Sequence, residues 1–392
     1  MATHYAAFLA FLLPSLLQAQ GWETRANLLV DLTFPVVVEL NGNIHVMGGG
    51  GPGGASNVHM RYTPATDTWD YRADVPYLAQ QPCGAVLDGK IHYCGGGYPN
   101  TGTPLNDHYV YDPALDSWTQ AADLPFPTAI NEAASVHGQF YVLTGQPNKQ
   151  LCQSYDPGTD SWTAHASLPD LNFWYGAVLA MGNTMYRFGG GGYIAPTNVA
   201  HVYDVDNDSW TSVPPMTDAL HALAGANVGD SLICLAGGYF NPNDYANVWL
   251  YHPLTQQYQA MEPLPAGRTY HSMVSAGGCV YVVGGNNDLE PTMGVSLIRN
   301  CSIGAVGMNE LANGWRPYLA AITPSTFQLQ LASGANADDS VEVIDAQGKI
   351  VARRSLASGS VTLRGEDHAV GAYGIVVIVG GKRYVERWVN GR

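Results

Sequence analysis

Tryptophan recurs through most of this chain at a nearly constant interval: Trp22, Trp69, Trp118, Trp162 and Trp210 lie 47, 49, 44 and 48 residues apart, and Tyr258 follows 48 later. A period of that length marks supersecondary units that repeat and stack, not one undivided core. Two more markers keep the same beat. Paired glycines close an apolar run at Gly48-Gly49, Gly95-Gly96, Gly189-Gly190, Gly237-Gly238 and Gly284-Gly285, with Thr144-Gly145 in the third place. Between glycines and tryptophan lie Tyr62-Thr63-Pro64, Tyr111-Asp112-Pro113, Tyr155-Asp156-Pro157, Tyr203-Asp204 and Tyr251-His252-Pro253.

Each unit reads as four strands: a small-residue strand, a tight turn such as Asp88-Gly89 or His137-Gly138, a strand ending in the glycines, then a Tyr strand and a Trp strand. One such sheet cannot bury both faces, whereas sheets set radially around an axis bury them against neighbours. Six units are expected. The sixth, Thr269 to Asn300, lacks a Trp strand, while an orphan one stands at Trp22, so the N-terminal strand is expected to complete the last unit and remove the exposed edge.

These markers, in this order and near this period, resemble the Kelch family across residues 21–302. The resemblance implies an all-β fold, a six-bladed β-propeller closed by the N-terminal strand. A seven-bladed or WD40 propeller is the alternative, but the Trp-Asp pair at Trp69-Asp70 does not repeat.

Residues 1–20 read as a signal peptide, with an apolar run from Ala6 to Leu17 before Leu17-Gln18-Ala19. No later stretch is long and apolar enough for a transmembrane helix, so a secreted or cell-surface protein is expected. From residue 303 onward 9 Lys/Arg meet 8 Asp/Glu, which leaves 8 basic against 24 acidic residues upstream. That acidic body speaks against nucleic acid or anionic lipid as partner.

The repeat stops after Cys301; residues 303–316 read as a linker, and residues 317–392 as a small β-sandwich with strands near Phe327–Leu331, Ser340–Asp345, Lys349–Arg354, Ser360–Leu363, Tyr373–Val379 and Arg383–Val389. Val341-Glu342-Val343-Ile344-Asp345, Gln347-Gly348-Lys349, Gly371-Ala372-Tyr373 and Gly381-Lys382-Arg383 resemble the C-terminal sorting domain of the type IX secretion system of Bacteroidota, although Pro324-Ser325 stands where that family has Asn-Pro. The resemblance implies the secretion machinery as a partner.

In blades of this kind the long loops share one face of the disc, here Gly50 to Val58, Gly97 to His108, Gly191 to Ala200 and Tyr239 to Ala246. A rigid scaffold that carries adaptable loops is where binding residues gather. The candidate ligand-binding residues are Tyr98, Asn131, Trp174, Tyr175, Tyr193, His221, Tyr239 and Asn286, with Phe173, Phe240 and Tyr245 as further aromatics. Aromatic faces meet the C–H side of a sugar ring and polar groups take its hydroxyls; the competing reading is that the rings pack loops onto the disc.

Glu132 begins the third unit's inner strand, where other units have Val36, Cys83, Ala177 and Ser272. It is a candidate general base or ligand clamp, or a solvated channel wall. Arg268, Tyr270 and His271 complete the catalytic candidates. Arg268-Thr269-Tyr270-His271-Ser272 resembles the copper strand of galactose oxidase, but Ile130 stands where that family has its second tyrosine, so neither a metal nor a cofactor is expected. Asp204-Val205-Asp206-Asn207-Asp208 alternates carboxylates like a calcium loop, yet aligns with ordinary turns at Asp112 to Asp116 and Asp156 to Asp160.

Six cysteines allow fifteen pairings. Cys279 and Cys301 flank a hairpin of the sixth unit and are the disulfide candidates; Cys83 and Cys94 oppose each other across Asp88-Gly89 in a less favourable register. The function expected is a binding module for a carbohydrate or a protein partner. The alternatives are a sugar mutarotase or epimerase, suggested by resemblance to secreted Kelch mutarotases of sialic acid, and a structural adhesion protein.

Overall fold

A computed structural model describes residues 21–51, 54–99, 101–130, 132–143, 145–170, 174–192, 195–229, 231–240, 243–253, 255–287 and 293–303, and in the C-terminal region 318–322, 326–331, 340–345, 349–356, 360–364, 367–369, 371–379 and 382–390. The predicted signal peptide and nearly all of the predicted linker lie outside these residues. The chain divides into two compact units, Met1–Ala305 and Val306–Arg392.

The first unit contains six four-stranded antiparallel sheets among the described residues. Five run straight along the chain. The first comprises Val36–Leu40, Asn43–Met47, His59–Thr63 and Thr68–Tyr71; the second Cys83–Leu87, Lys90–Cys94, His108–Asp112 and Ser117–Gln120. The third comprises Glu132–Val136, Gln139–Leu143, Cys152–Asp156 and Ser161–Ala164, and the fourth Ala177–Met181, Thr184–Phe188, Ala200–Asp204 and Ser209–Val213. The fifth comprises Ala224–Val228, Leu232–Ala236, Val248–His252 and Gln257–Ala260. The sixth joins Ser272–Ala276, Cys279–Val283 and Leu297–Asn300 to Glu23–Thr24, with Glu23 opposite Arg299 and Thr24 opposite Ile298. The first strands neighbour one another in chain order, and Ser272–Ala276 lies beside Val36–Leu40.

Apolar cores lie between neighbouring sheets. Val36 and Met47 meet Ile91, Tyr93 and Tyr111 of the next sheet, and Ile44 and Tyr62 meet Tyr281, Val283 and Leu297 of the sixth. The repeated Tyr, Asp and Trp residues pin each sheet to the one before. Trp69, Trp118, Trp162 and Trp210 donate their indole N–H to the carbonyls of Ala26, Ala73, Ala122 and Ala166, at 2.8 to 2.9 Å. The N–H of each of those alanines donates to Asp67, Asp116, Asp160 or Asp208, which also accepts the hydroxyl of Tyr62, Tyr111, Tyr155 or Tyr203. Tyr258 continues the series by donating to the Pro214 carbonyl, and Trp22 by donating to that of Glu262. Each acceptor stands four residues beyond the previous aromatic marker, so one motif both ends its own sheet and holds the next. These buried tyrosines do more than fill space, since each hydroxyl finds in that carboxylate the partner its burial requires.

Asp204 accepts the N–H groups of Asp206 and Asn207, and Asp208 accepts the Tyr203 hydroxyl and the Ala166 N–H, so the acidic run is a turn whose carboxylates bond within the protein. Cys279 and Cys301 form a disulfide in the sixth sheet.

The second unit has a three-stranded sheet, Tyr318–Ile322, Thr326–Leu331 and Ser360–Arg364, and a four-stranded one ordered Ile350–Ser355, Ser340–Ile344, Gly371–Val379, Lys382–Asn390. Leu329 and Leu363 of the first share a core with Val341, Val343, Ile375 and Val377 of the second. Pro324-Ser325 and Gln347-Gly348 lie outside the described residues.

Candidate functional site

Two residues before each inner strand the chain takes a left-handed backbone, without a single glycine: Phe34 at φ 54°, Gln81 at 55°, Ile130 at 59°, Tyr175 at 55°, Ala222 at 55° and Tyr270 at 56°. A bulky or β-branched residue avoids this region, at a cost of about 1–3 kcal/mol each. The surroundings hold it there. The Phe34 N–H donates to the Tyr270 carbonyl at 2.8 Å and the Ala222 N–H to that of Tyr175 at 2.7 Å, while Ile130 and Tyr270 donate to Gln81 and Ala222 at 3.3 Å. One residue just ahead of each sheet thus contributes to a collar around one cavity.

The collar lines a cavity of about 140 Å³, together with Pro35, Pro82, Glu132, Gly176, Leu223, His271 and Ser272. Its aromatic side is continuous. The Phe34 and Tyr270 rings lie 4.2 Å apart between centroids, Tyr175 is 5.5 Å from Phe34 and 5.6 Å from Tyr270, and His221 stacks on Tyr239 at 5.4 Å and on Tyr270 at 6.1 Å. Across the axis the Gln81 amide donates to the Tyr175 hydroxyl at 3.0 Å. Burial pushes the Tyr175 phenol up to about 12, so it stays protonated, and pushes His221 down to about 4, so its ring stays neutral.

Below the collar a second cavity of about 190 Å³ runs along the inner strands past Cys83, Glu132, Gly176 and Ser272. Glu132 faces Arg187, with Nε to Oε2 at 3.3 Å and Nη2 to Oε1 at 3.4 Å, and accepts the Gly176 N–H at 2.6 Å. Burial raises the Glu132 carboxyl, while Arg187 and the Gly176 N–H pull it back. Arg187 is wholly buried, and burial lowers it against the attraction of Glu132. It occupies a column where the other sheets have Val46, Tyr93, Val142, Leu235 and Val282. Two glycines make room for it: a Cβ on Gly176 or Gly190 would come within 2.6 or 2.7 Å of the guanidinium. The carboxylate that sequence inspection singles out therefore sits in an ion pair between the third and fourth sheets, a geometry that suits holding the cavity wall more than abstracting a proton.

The structure brings together Tyr175, His221, Tyr239, Tyr270, His271 and Glu132 of the sequence candidates. It leaves others apart. Tyr98 is exposed on its loop, Trp174 lies under the Lys149 ammonium, and Asn286 is exposed with its backbone paired to Thr269. Arg268 turns away, donating to the Gly284 carbonyl and Ser296 Oγ, and burial lowers it to about 10. His271 is buried beside the channel and held down to about 3. Asn131, Phe173 and Tyr193 lie outside the described residues. Among the described residues no group of three or more His, Cys, Asp or Glu is placed to hold a metal ion. Sequence inspection missed Phe34, Gln81, Ile130, Ala222 and Arg187. The signal for the first four is positional: count two residues back from each inner strand.

The Kelch motif profile matches residues 175–217, which begin at the collar residue Tyr175. Kelch-like protein 23 of Homo sapiens is 32% identical over 104 residues, 26% of this chain and 18% of that protein, and its Mus musculus counterpart is similar to the same extent. The chain thus spans less than a fifth of the length of these relatives. A solved structure titled "Structure of YjhT" superposes with a TM-score of 0.59 at 17% identity, over 69% of this chain and 94% of that one, a likeness of fold. Residues 175–217 thus carry a Kelch motif, and with the glycine, tyrosine and tryptophan markers in register these matches support a Kelch-repeat protein with a β-propeller fold.

Proposed function

We propose that the six sheets are the blades of one six-bladed propeller closed by Glu23–Thr24, and that this propeller is a secreted or surface-displayed binding module whose axial mouth takes a carbohydrate. The observation that carries the reading is the collar: six left-handed residues, none of them glycine, present an aromatic ledge on one side of the axis and the Gln81 amide on the other. Strain kept in a ring around a cavity, where glycine would relieve it, points to side chains retained for what they meet. Phe34, Tyr175 and Tyr270 offer faces for C–H groups, and Gln81, Glu132 and Ser272 offer hydrogen bonds to hydroxyls. The tie between Glu132 and Arg187 favours a wall or binding role for that carboxylate over proton abstraction.

Residues 1–20 are proposed to direct export, and residues 317–392 to act as the sorting domain that their motifs resemble, delivering the propeller through the secretion machinery to the surface. Deleting residues 317–392 should leave the propeller inside the cell envelope; unchanged release into the medium would remove the sorting role.

Binding is tested by calorimetry of residues 21–392 against mono- and oligosaccharides, with Tyr270→Ala and Gln81→Ala variants beside the parent. Heat with one sugar class that both variants lose supports the axial site. A silent sugar panel would move the reading to a protein partner on the same face.

A further inference from the structure

We propose that Cys83 and Cys94 form a second, cross-strand disulfide inside the second sheet. They are direct partners in the pairing of Cys83–Leu87 with Lys90–Cys94, and their sulfurs lie 3.5 Å apart. The equivalent pairs in the other sheets are Val36 with Met47, Glu132 with Leu143, Ala177 with Phe188, Ala224 with Ala236 and Ser272 with Val283, so no general demand of the repeat puts cysteine at both positions. Directly opposed strand residues have Cα separations of about 4.5–5.5 Å, inside the range of about 4.4–6.8 Å that a disulfide bridges. A bond length near 2.05 Å then needs the sulfurs to close by roughly 1.5 Å, within reach of side-chain rotation and a small strand shift.

The remaining two cysteines provide a contrast. Cys152 faces Leu143, and Cys234 faces Ala226 and Leu250, so neither has a thiol opposite it. The Cys279–Cys301 bond places the same chemistry elsewhere in the unit.

Cys83 and Cys94 are 4% and 0% exposed, and burial raises the Cys83 thiol. Exchange is therefore slow once the sheet has closed, which puts bond formation during folding, with a disulfide as the oxidant. Two protein S–H bonds and the oxidant's S–S bond break; one protein S–S bond and two oxidant S–H bonds form. The cysteines lose two electrons, and their two protons end on the released thiols. The rung would lie on the wall of the axial channel, which Cys83 lines, two residues from the collar residue Gln81.

The test uses the full mature chain secreted from an oxidising host, quenched in acid, alkylated with N-ethylmaleimide in denaturant without reductant, and cut with trypsin. Lys90 separates Cys83 from Cys94, and Arg299 separates Cys279 from Cys301, so each disulfide appears as two linked peptides. Samples in which Cys279 and Cys301 are linked report on adequate oxidation and are the ones scored. In these, a linked Cys83–Cys94 pair with Cys152 and Cys234 alkylated is expected, and in the Cys94→Ser variant Cys83 should become alkylated. Cys83 and Cys94 both alkylated beside an intact Cys279–Cys301 link would overturn the proposal.

Discussion

Gln81 and Tyr175, 94 residues apart and each just ahead of a different sheet, meet across the axis through a hydrogen bond of 3.0 Å from the glutamine amide to the tyrosine hydroxyl. Both stand in the left-handed region, so the bond fixes two strained backbones at once. Tyr175→Phe should therefore lose about 0.5–1.5 kcal/mol in urea unfolding, and Gln81→Ala combined with it should add little, because the two changes remove one interaction. Additive losses would show that the bond does not form.

Collar strain predicts an unusual sign for a glycine substitution. Ala222 is buried at φ 55°, where glycine has no steric penalty, so Ala222→Gly should leave the melting temperature unchanged or raise it. Ala226, inside the strand Ala224–Val228, should behave ordinarily and lose about 0.5–1 kcal/mol on the same substitution. Equal losses at both sites would argue against strain at the collar.

The buried Glu132–Arg187 pair should be worth more broken than replaced. Removing either charge alone, as in Glu132→Ala or Arg187→Val, leaves its partner buried without a counter-ion and should cost about 3–5 kcal/mol. The double variant Glu132→Ala with Arg187→Val gives these columns the residue types of the neighbouring sheets and should recover most of that loss. A double variant no better than the singles would mean that the pair is not coupled.

Pins between sheets should respond to loss of their carboxylate. Asp116 accepts both the Tyr111 hydroxyl at 2.7 Å and the Ala73 N–H at 3.1 Å, whereas the exposed Asp123 does not serve as a pin. Asp116→Asn, which keeps a side chain tolerant of the left-handed backbone at φ 48°, should cost about 1.5–3 kcal/mol, and Asp123→Asn close to nothing.

Acid should weaken the fold before its carboxylates titrate. Burial holds His45 at about 4 and His59 at about 3, with their rings joined at 2.9 Å, and His92 at about 3 and His108 at about 4, joined at 3.0 Å. All four lie below the free value of about 6.5, so the unfolded chain binds protons first. Their contribution is fully present above pH 6.5 and is lost progressively as pH falls from there towards 4. Urea midpoints measured between pH 7.5 and 4.5 should drop, and His59→Phe with His108→Phe should flatten the slope. Asp67, Asp116, Asp160 and Asp208 are held below the usual carboxylate range by the Tyr hydroxyls and alanine N–H groups they accept. Their contribution is lost only at lower pH, which separates the two effects.

The spacing of Trp69, Trp118, Trp162 and Trp210 by itself determined that this chain builds repeated sheets of the Kelch kind, because each marker performs a task set by its own repeat: tyrosine and aspartate close a local turn and tryptophan reaches back one unit. A pattern is legible when every unit needs the same residue for the same reason. The collar and the buried pair follow a different rule. Phe34, Gln81, Ile130, Tyr175, Ala222 and Tyr270 share a backbone conformation but no residue type, and Arg187 fills a column of Val, Tyr and Leu, so the sequence marks neither as a set. Only the tertiary structure, by bringing six chain-distant positions to one axis, decided that an amide meets a phenol there and that one carboxylate finds one guanidinium. Those contacts depend on distance in space, and chain order does not encode it until the sheets have stacked.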